Sequence, residues 1–188
     1  MRLKSNVASL RSWWDTLDMT WREVLAEQIG LSAEETLSDP SLLTTLTELD
    51  ASGASVSDLA VLQMLPQLQS LDLSDTPLRS LQGLHQLGQL RELHLTCHPQ
   101  PDLAEIACLS QLEVLDLSYP HVSLQRTLPL LEDLPNLREL YCNACMLETV
   151  VPFLNMNHLR VLSLHFNPIP PEEVRALREL MPHCRILF

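Results

Sequence analysis

One pattern restricts this chain more than any other. Leu-x-x-Leu-x-Leu, or a close variant, appears as LTELDA (46–51), LQSLDL (68–73), LRELHL (90–95), LEVLDL (112–117), LRELYC (137–142) and LRVLSL (159–164), and CRILF (184–188) reads as a truncated seventh copy. Successive first positions lie 22, 22, 22, 25, 22 and 25 residues apart. Six full copies at near-fixed spacing are the mark of a solenoid built from one supersecondary unit per period. Each unit supplies a short strand whose fourth and sixth positions point inward while the intervening ones face out. The return segment carries spaced apolar residues, as in Leu81, Leu84 and Leu87, or Leu128, Leu131 and Leu134. A single unit cannot bury these residues, so neighbours must stack.

The periodicity also locates the ends. A solenoid exposes its core at its first and last coils unless something covers them. All three tryptophans, Trp13, Trp14 and Trp21, precede the first repeat, in a chain with only 4% aromatic residues. Residues 1–45 are therefore expected to form a helical N-terminal cap and residues 46–188 the repeats. Thr20-Trp-Arg-Glu23 reads as a capping box, Trp21, Val24, Leu25 and Ile29 share one helical face, and Gly30 ends the helix. Ser32-Ala-Glu-Glu35 is expected to open a second short helix. At the other end, PPEEVRALREL places prolines at a helix start and acids in its first turn, and predicts a helix over 171–181. The two 25-residue repeats are expected to have longer return helices.

The segments from about residue 46 to 188 resemble leucine-rich repeats, in particular the 22-residue class of bacterial internalin-like proteins and eukaryotic phosphatase regulators. The resemblance implies an α/β leucine-rich repeat solenoid, with a curved parallel sheet on the concave side, short helices and 3-10 turns on the convex side, and a helical N-terminal cap. It is specific for fold and says little about function, because one architecture serves many partners. One departure is plain. The ninth repeat position, usually Asn, is Ala54, Thr76, His98, Pro120, Cys145 and only once Asn167. The side-chain ladder of such repeats is mostly missing, which predicts irregular turns.

The register answers the question raised by Cys142 and Cys145, a Cys-x-x-Cys step. Cys142 takes the sixth position, where the other repeats have Ala51 or Leu, and Cys145 takes the Asn position. The matching residues of the adjacent copies, Leu117, Pro120, Leu164 and Asn167, are not the usual ligands a zinc ion requires. The pair is expected to pack. Cys97, at the eighth position between Asp75 and Tyr119, should be exposed, with nearby carboxylate disfavouring its thiolate.

The outward positions then form columns. The third contains Glu48, Ser70, Glu92, Val114, Glu139 and Val161, and the fifth Asp50, Asp72, His94, Asp116, Tyr141 and Ser163. The seventh contains Ser52, Ser74, Thr96, Ser118, Asn143 and His165, and the eighth Gly53, Asp75, Cys97, Tyr119, Ala144 and Phe166. Seven of these 24 residues are acidic and none is Lys or Arg, where the overall composition leads to about three acids. The carboxylates Glu48, Asp50, Asp72, Asp75, Glu92 and Asp116 occupy the first four repeats. Tyr119, Tyr141, His165 and Phe166 gather in the last three, beside Glu139, and exposed aromatics are typical interface anchors. Asp72, His94 and Asp116 stand in one row. The outer two are roughly 9.6 Å apart on strand spacing, too far to share a metal ion, so the histidine is expected to be a pH-sensitive contributor to partner affinity.

Composition narrows the function. A net charge of −12 with one lysine argues against nucleic acid and anionic membrane surfaces. Five cysteines and no apolar leader in MRLKSNVASLRSWW point to a reducing, cytoplasmic setting. No phosphate loop, His-Glu-x-x-His or Gly-x-Ser-x-Gly motif occurs, so no enzyme, cofactor or metal is expected. The expectation is a non-catalytic module, favoured as a monomer, binding a basic or mixed basic and apolar protein partner through its concave face. It would act as an inhibitor or immunity-type protein. The alternatives are a regulatory subunit of an enzyme such as a phosphatase, or a scaffold that self-associates through Ile186–Phe188.

Overall fold

A computed structural model describes residues 12–188 apart from 36, 38, 40 and 100. The stretch before residue 12, read above for the absence of a leader, lies outside the described residues. Seven three-residue strands run in parallel and pair strictly in chain order: β1 (Glu48–Asp50), β2 (Ser70–Asp72), β3 (Glu92–His94), β4 (Val114–Asp116), β5 (Glu139–Tyr141), β6 (Val161–Ser163) and β7 (Arg185–Leu187). The pairing is the one the repeat dictates. Leu49, Leu71, Leu93, Leu115, Leu140 and Leu162 lie opposite one another, and all are buried. A slip of one residue would turn this row to solvent, so the register is strongly fixed.

Behind the strands, the chain returns through 3-10 turns at Ala60–Met64, Leu84–Gln86, Leu128–Leu131 and Val151–Phe153, and through α-helices at Leu103–Ile106 and Pro171–Leu180. Their apolar residues join the strand leucines in one continuous core. Only one of the two 25-residue repeats has a longer helix. Pro171–Leu180 spans ten residues, whereas the repeat starting at Leu112 returns through the short 3-10 turn at Leu128–Leu131. Its extra residues extend the loop before that turn, where Pro120 denies a backbone donor.

At the N-terminal end, the helix Met19–Gln28 packs on β1. Its N-cap is Asp18, whose carboxylate accepts the Trp21 N–H, so Thr20 lies inside the helix rather than at its cap. Gly30, at φ 71°, ends it as expected: Gly30 N–H and Leu31 N–H bond the carbonyls of Glu27 and Ala26. Residues 32–35 form a turn and not a helix, although Glu35 does reach back to the Ser32 N–H. Trp14 and Trp21 are buried in the core, and their ring N–H groups donate to the carbonyls of Glu35 and Asp58.

The closing copy differs from its sequence reading. Cys184 has the first-position role, buried and closing the same turn through Met181 O, yet Arg185 already pairs with Val161. The copy is one residue short between these points. Ile186 therefore points inward, opposite Leu162, and Leu187 joins the outward fifth column. Arg178 fixes this strand by donating to Ile186 O.

Candidate concave interaction face

Strand pairing places the outward residues in the expected columns. Glu48, Ser70, Glu92, Val114, Glu139 and Val161 are successive neighbours, as are Asp50, Asp72, His94, Asp116, Tyr141 and Ser163. The seventh strand adds Arg185 to the third column, so the complete sheet has one cation at its C-terminal end. Glu48, Asp50, Asp75, Glu92, Tyr119, His165 and Phe166 are exposed. Asp72, His94, Asp116, Glu139 and Tyr141 are half-buried, and Ser118 and Ser163 are buried despite their outward positions.

The fifth-column acids have a backbone task that their charge alone did not suggest. As the chain leaves each strand, the seventh-position N–H needs an acceptor. Asp50, Asp72 and Asp116 accept it from Ser52, Ser74 and Ser118 within the same coil, at 2.8–2.9 Å. Where the fifth residue is His94, Tyr141 or Ser163, the acceptor comes from the preceding coil instead. Thr96 N–H bonds Ser74 Oγ, Asn143 N–H bonds Ser118 Oγ, and His165 N–H bonds Asn143 Oδ1. All six N–H groups are satisfied by one of two devices. The bond from Ser52 holds the Asp50 carboxyl below its usual value.

The next residue gives the face its shape. Every eighth position is left-handed: Gly53, Asp75, Cys97, Tyr119, Ala144 and Phe166 have φ between 53° and 69°. Only the first is glycine, and each of the others costs on the order of 1 kcal/mol or more. This uniformity corrects the expectation of irregular turns. The missing Asn ladder is replaced piecemeal: Thr76 Oγ1 donates to Leu73 O and Cys145 Sγ to Leu117 O, while Asn167 Nδ2 donates to the carbonyls of Cys142 and Leu164. Cys142 and Cys145 are fully buried free thiols, and burial pushes Cys142 well above the usual thiol range. Burial also raises the Cys97 thiol, followed by its bond to Asp75.

At the C-terminal end, Tyr141 donates to Glu139 at 2.7 Å, a bond that helps push its phenol up to about 12. The rings of His165 and Phe166 are 6.1 Å apart, and Phe166 is 80% exposed. The structure adds Met146 to this region, also left-handed and 45% exposed. Nothing in its sequence position marked it, because it falls outside the four strand columns. At the opposite end, Glu23 and Glu27 of the N-terminal helix line a groove of about 450 Å³ with Asp50, Ser52 and Gly53. Their i, i+4 spacing on the face away from Trp21 and Leu25 was the available signal. Among the described residues, no three His, Cys, Asp or Glu side chains converge in a metal-binding geometry, and no helix is long and apolar enough to cross a membrane.

The chain has the fold of a leucine-rich repeat solenoid. An internalin (inlF) from Listeria monocytogenes superposes with a TM-score of 0.72 at 20% identity, over 89% of this chain and 48% of that one. The Listeria internalin C2 gives 0.71 at 22% identity, over 90% of this chain and 74% of that one. A leucine-rich repeat protein from Leptospira interrogans gives 0.52 at 24% identity, over 68% and 38%. The chain thus spans about half the length of the first internalin. No family model matches the sequence, and no curated protein matches it.

Proposed function

We propose that this chain is a non-catalytic interaction module that binds a protein with a basic surface through the concave face of its sheet. The observation that carries this reading is the registered face itself. Seven carboxylates fall on the outward columns of six strands without a Lys or Arg among them, and Glu23 and Glu27 extend the acidic end onto the helix. Carboxylates in neighbouring coils repel by roughly 0.8 kcal/mol at strand spacing even in water, and a basic partner relieves that repulsion. The face steers such a partner from solution, and the exposed aromatics at the other end supply contact area. An inhibitor or immunity-type protein masking a basic target is the form this takes.

The test is affinity capture from a native lysate with the full chain and with a Glu48→Lys/Glu92→Lys variant, at low and high salt. These two glutamates are exposed and make no backbone bond, so the turns survive their replacement. The wild type is expected to retain a basic protein that high salt and the variant both release. Identical captured proteins for both chains at both salts would sink the reading.

A further inference from the structure

Within this acidic face, and resting on the reading above, we infer that Tyr119, Ala144 and Phe166 form a slot for one aliphatic side chain of an extended partner segment, and that the segment carries Lys or Arg about four residues from that side chain, held at Asp75. The three slot residues occupy the same eighth position of consecutive coils, and the ladder between them is continuous. Tyr119 N–H bonds Asn143 O, and Ala144 N–H bonds His165 O, each at 2.8 Å. At strand spacing Tyr119 and Phe166 are therefore roughly 10 Å apart, with only a methyl group between them. Carbon contacts of about 3.5–4.0 Å on either side nearly fill that width with one inserted chain.

Exposure marks these aromatics, and the left-handed turn they share with the rest of the column gives folding no reason to place a ring there. Phe166 is 80% exposed and Tyr119 45%, so neither contributes a full ring to the core. Both are also left-handed, a conformation that glycine adopts at no steric cost and that Gly53 supplies in the same column. Folding thus gains little from the Phe166 ring and only part of the Tyr119 ring, and is opposed by their backbone geometry. A large ring kept exposed on a turn that Gly53 fills without strain is a mark of use.

Charge and distance define the rest of the occupant. Along the same column, Asp75 stands three coils from Ala144, roughly 14 Å away, with Cys97 and Tyr119 between. An extended chain rising about 3.3 Å per residue covers this in four residues. Asp116, next to this path in the fifth column, adds a second negative charge: both carboxylates act on the Cys97 thiol. A segment with an aliphatic residue and a cation at that separation, in either chain direction, meets complementary groups at both ends.

The test is to pan a phage-displayed library of random peptides against the full chain and to measure the enriched peptides by fluorescence anisotropy. Enriched sequences are expected to pair an aliphatic residue with Lys or Arg about four positions away. Phe166→Gly and Tyr119→Gly should each weaken binding at least about tenfold, while their melting temperatures stay level or rise because strain is released. Peptides without this spacing overturn the inference, as do peptides that bind both glycine variants unchanged. If those peptides still lose affinity in Glu48→Lys/Glu92→Lys, the slot falls and the concave face stands. If no peptide is enriched, or none responds to any of these substitutions, both fall.

Discussion

Acidification should destabilise this protein through one buried histidine. His98 takes the ninth position of the third coil, beneath left-handed Cys97, and has no exposed surface. Burial lowers its pKa from 6.5 to about 4, with a smaller contribution from His121. Because the folded value lies below the unfolded one, the unfolded chain takes up the proton first. Stability is therefore complete above about pH 6.5 and is lost as the pH falls towards 4. At about 1.36 kcal/mol per pKa unit, the full loss is on the order of 3 kcal/mol, against roughly 5–15 kcal/mol for a typical domain. Half-buried His158 is shifted in the same direction, so the comparison must be with His98→Asn. Asn167 shows that an asparagine at this position reaches the neighbouring carbonyls. Urea unfolding followed by tryptophan fluorescence and circular dichroism, at steps between pH 7 and pH 4.5, gives the two slopes. The wild type is expected to lose about 2–3 kcal/mol more than the variant over this range. Equal slopes would refute the reasoning, as would a His98 imidazole titrating near its ordinary value by NMR.

The two roles of Asp72 can be separated. Asp72→Asn keeps an acceptor for Ser74 N–H and should change stability by less than about 0.5 kcal/mol, while reducing capture of a basic partner. Asp72→Ala should also cost about 1–2 kcal/mol in urea unfolding, because it leaves that N–H without its acceptor. Asn167→Ala removes the donors to Cys142 O and Leu164 O and the acceptor of Leu147 N–H, and should cost about 2–4 kcal/mol by the same assay. Aromatic disulfide reagents should label exposed Cys108 first in the native protein, slowly because burial raises its thiol, and reach Cys142 and Cys145 only in urea.

What the sequence revealed, and what it hid, follows from how many physical requirements acted on each position. The fourth and sixth positions are leucine in nearly every copy because inward strand residues must fill a constant space, so six strands and their register were legible. The seventh copy failed at CRILF, where Ile186 and Leu187 are adjacent and apolar, so two registers one residue apart bury comparable groups. The helix start was ambiguous for a similar reason. Asp18 and Thr20 are both good caps, and only the fold shows that Asp18 meets the Trp21 N–H. Left-handed turns at the eighth position were invisible, since five of their six residues are Asp, Cys, Tyr, Ala and Phe. The Asp-x-Ser spacing at 50–52, 72–74 and 116–118 is visible in the sequence, but an outward carboxylate suits a charged face and a turn acceptor equally, so the spacing alone does not reveal the bond.

That geometry redistributes the support for a binding face. Asp50, Asp72 and Asp116 have a folding reason to be acidic, and Glu139 is engaged by Tyr141, so part of the carboxylate excess is explained without any partner. A side-chain acceptor satisfies a turn whether or not a ligand ever arrives, and Ser74 or Asn143 does so with no charge at all. The aromatics stand the other way round. No hydrogen bond or full burial accounts for Phe166, and its backbone conformation opposes folding. On the proposed reading, charge sets how fast a partner arrives and which sign it bears, and the exposed rings set whether it stays. Substitutions in the acidic columns should therefore act mainly on association rates and their salt dependence, and those at Tyr119 and Phe166 on dissociation. Surface plasmon resonance on the captured partner separates the two, and an acidic-column variant that dissociates faster at an unchanged association rate would contradict this division.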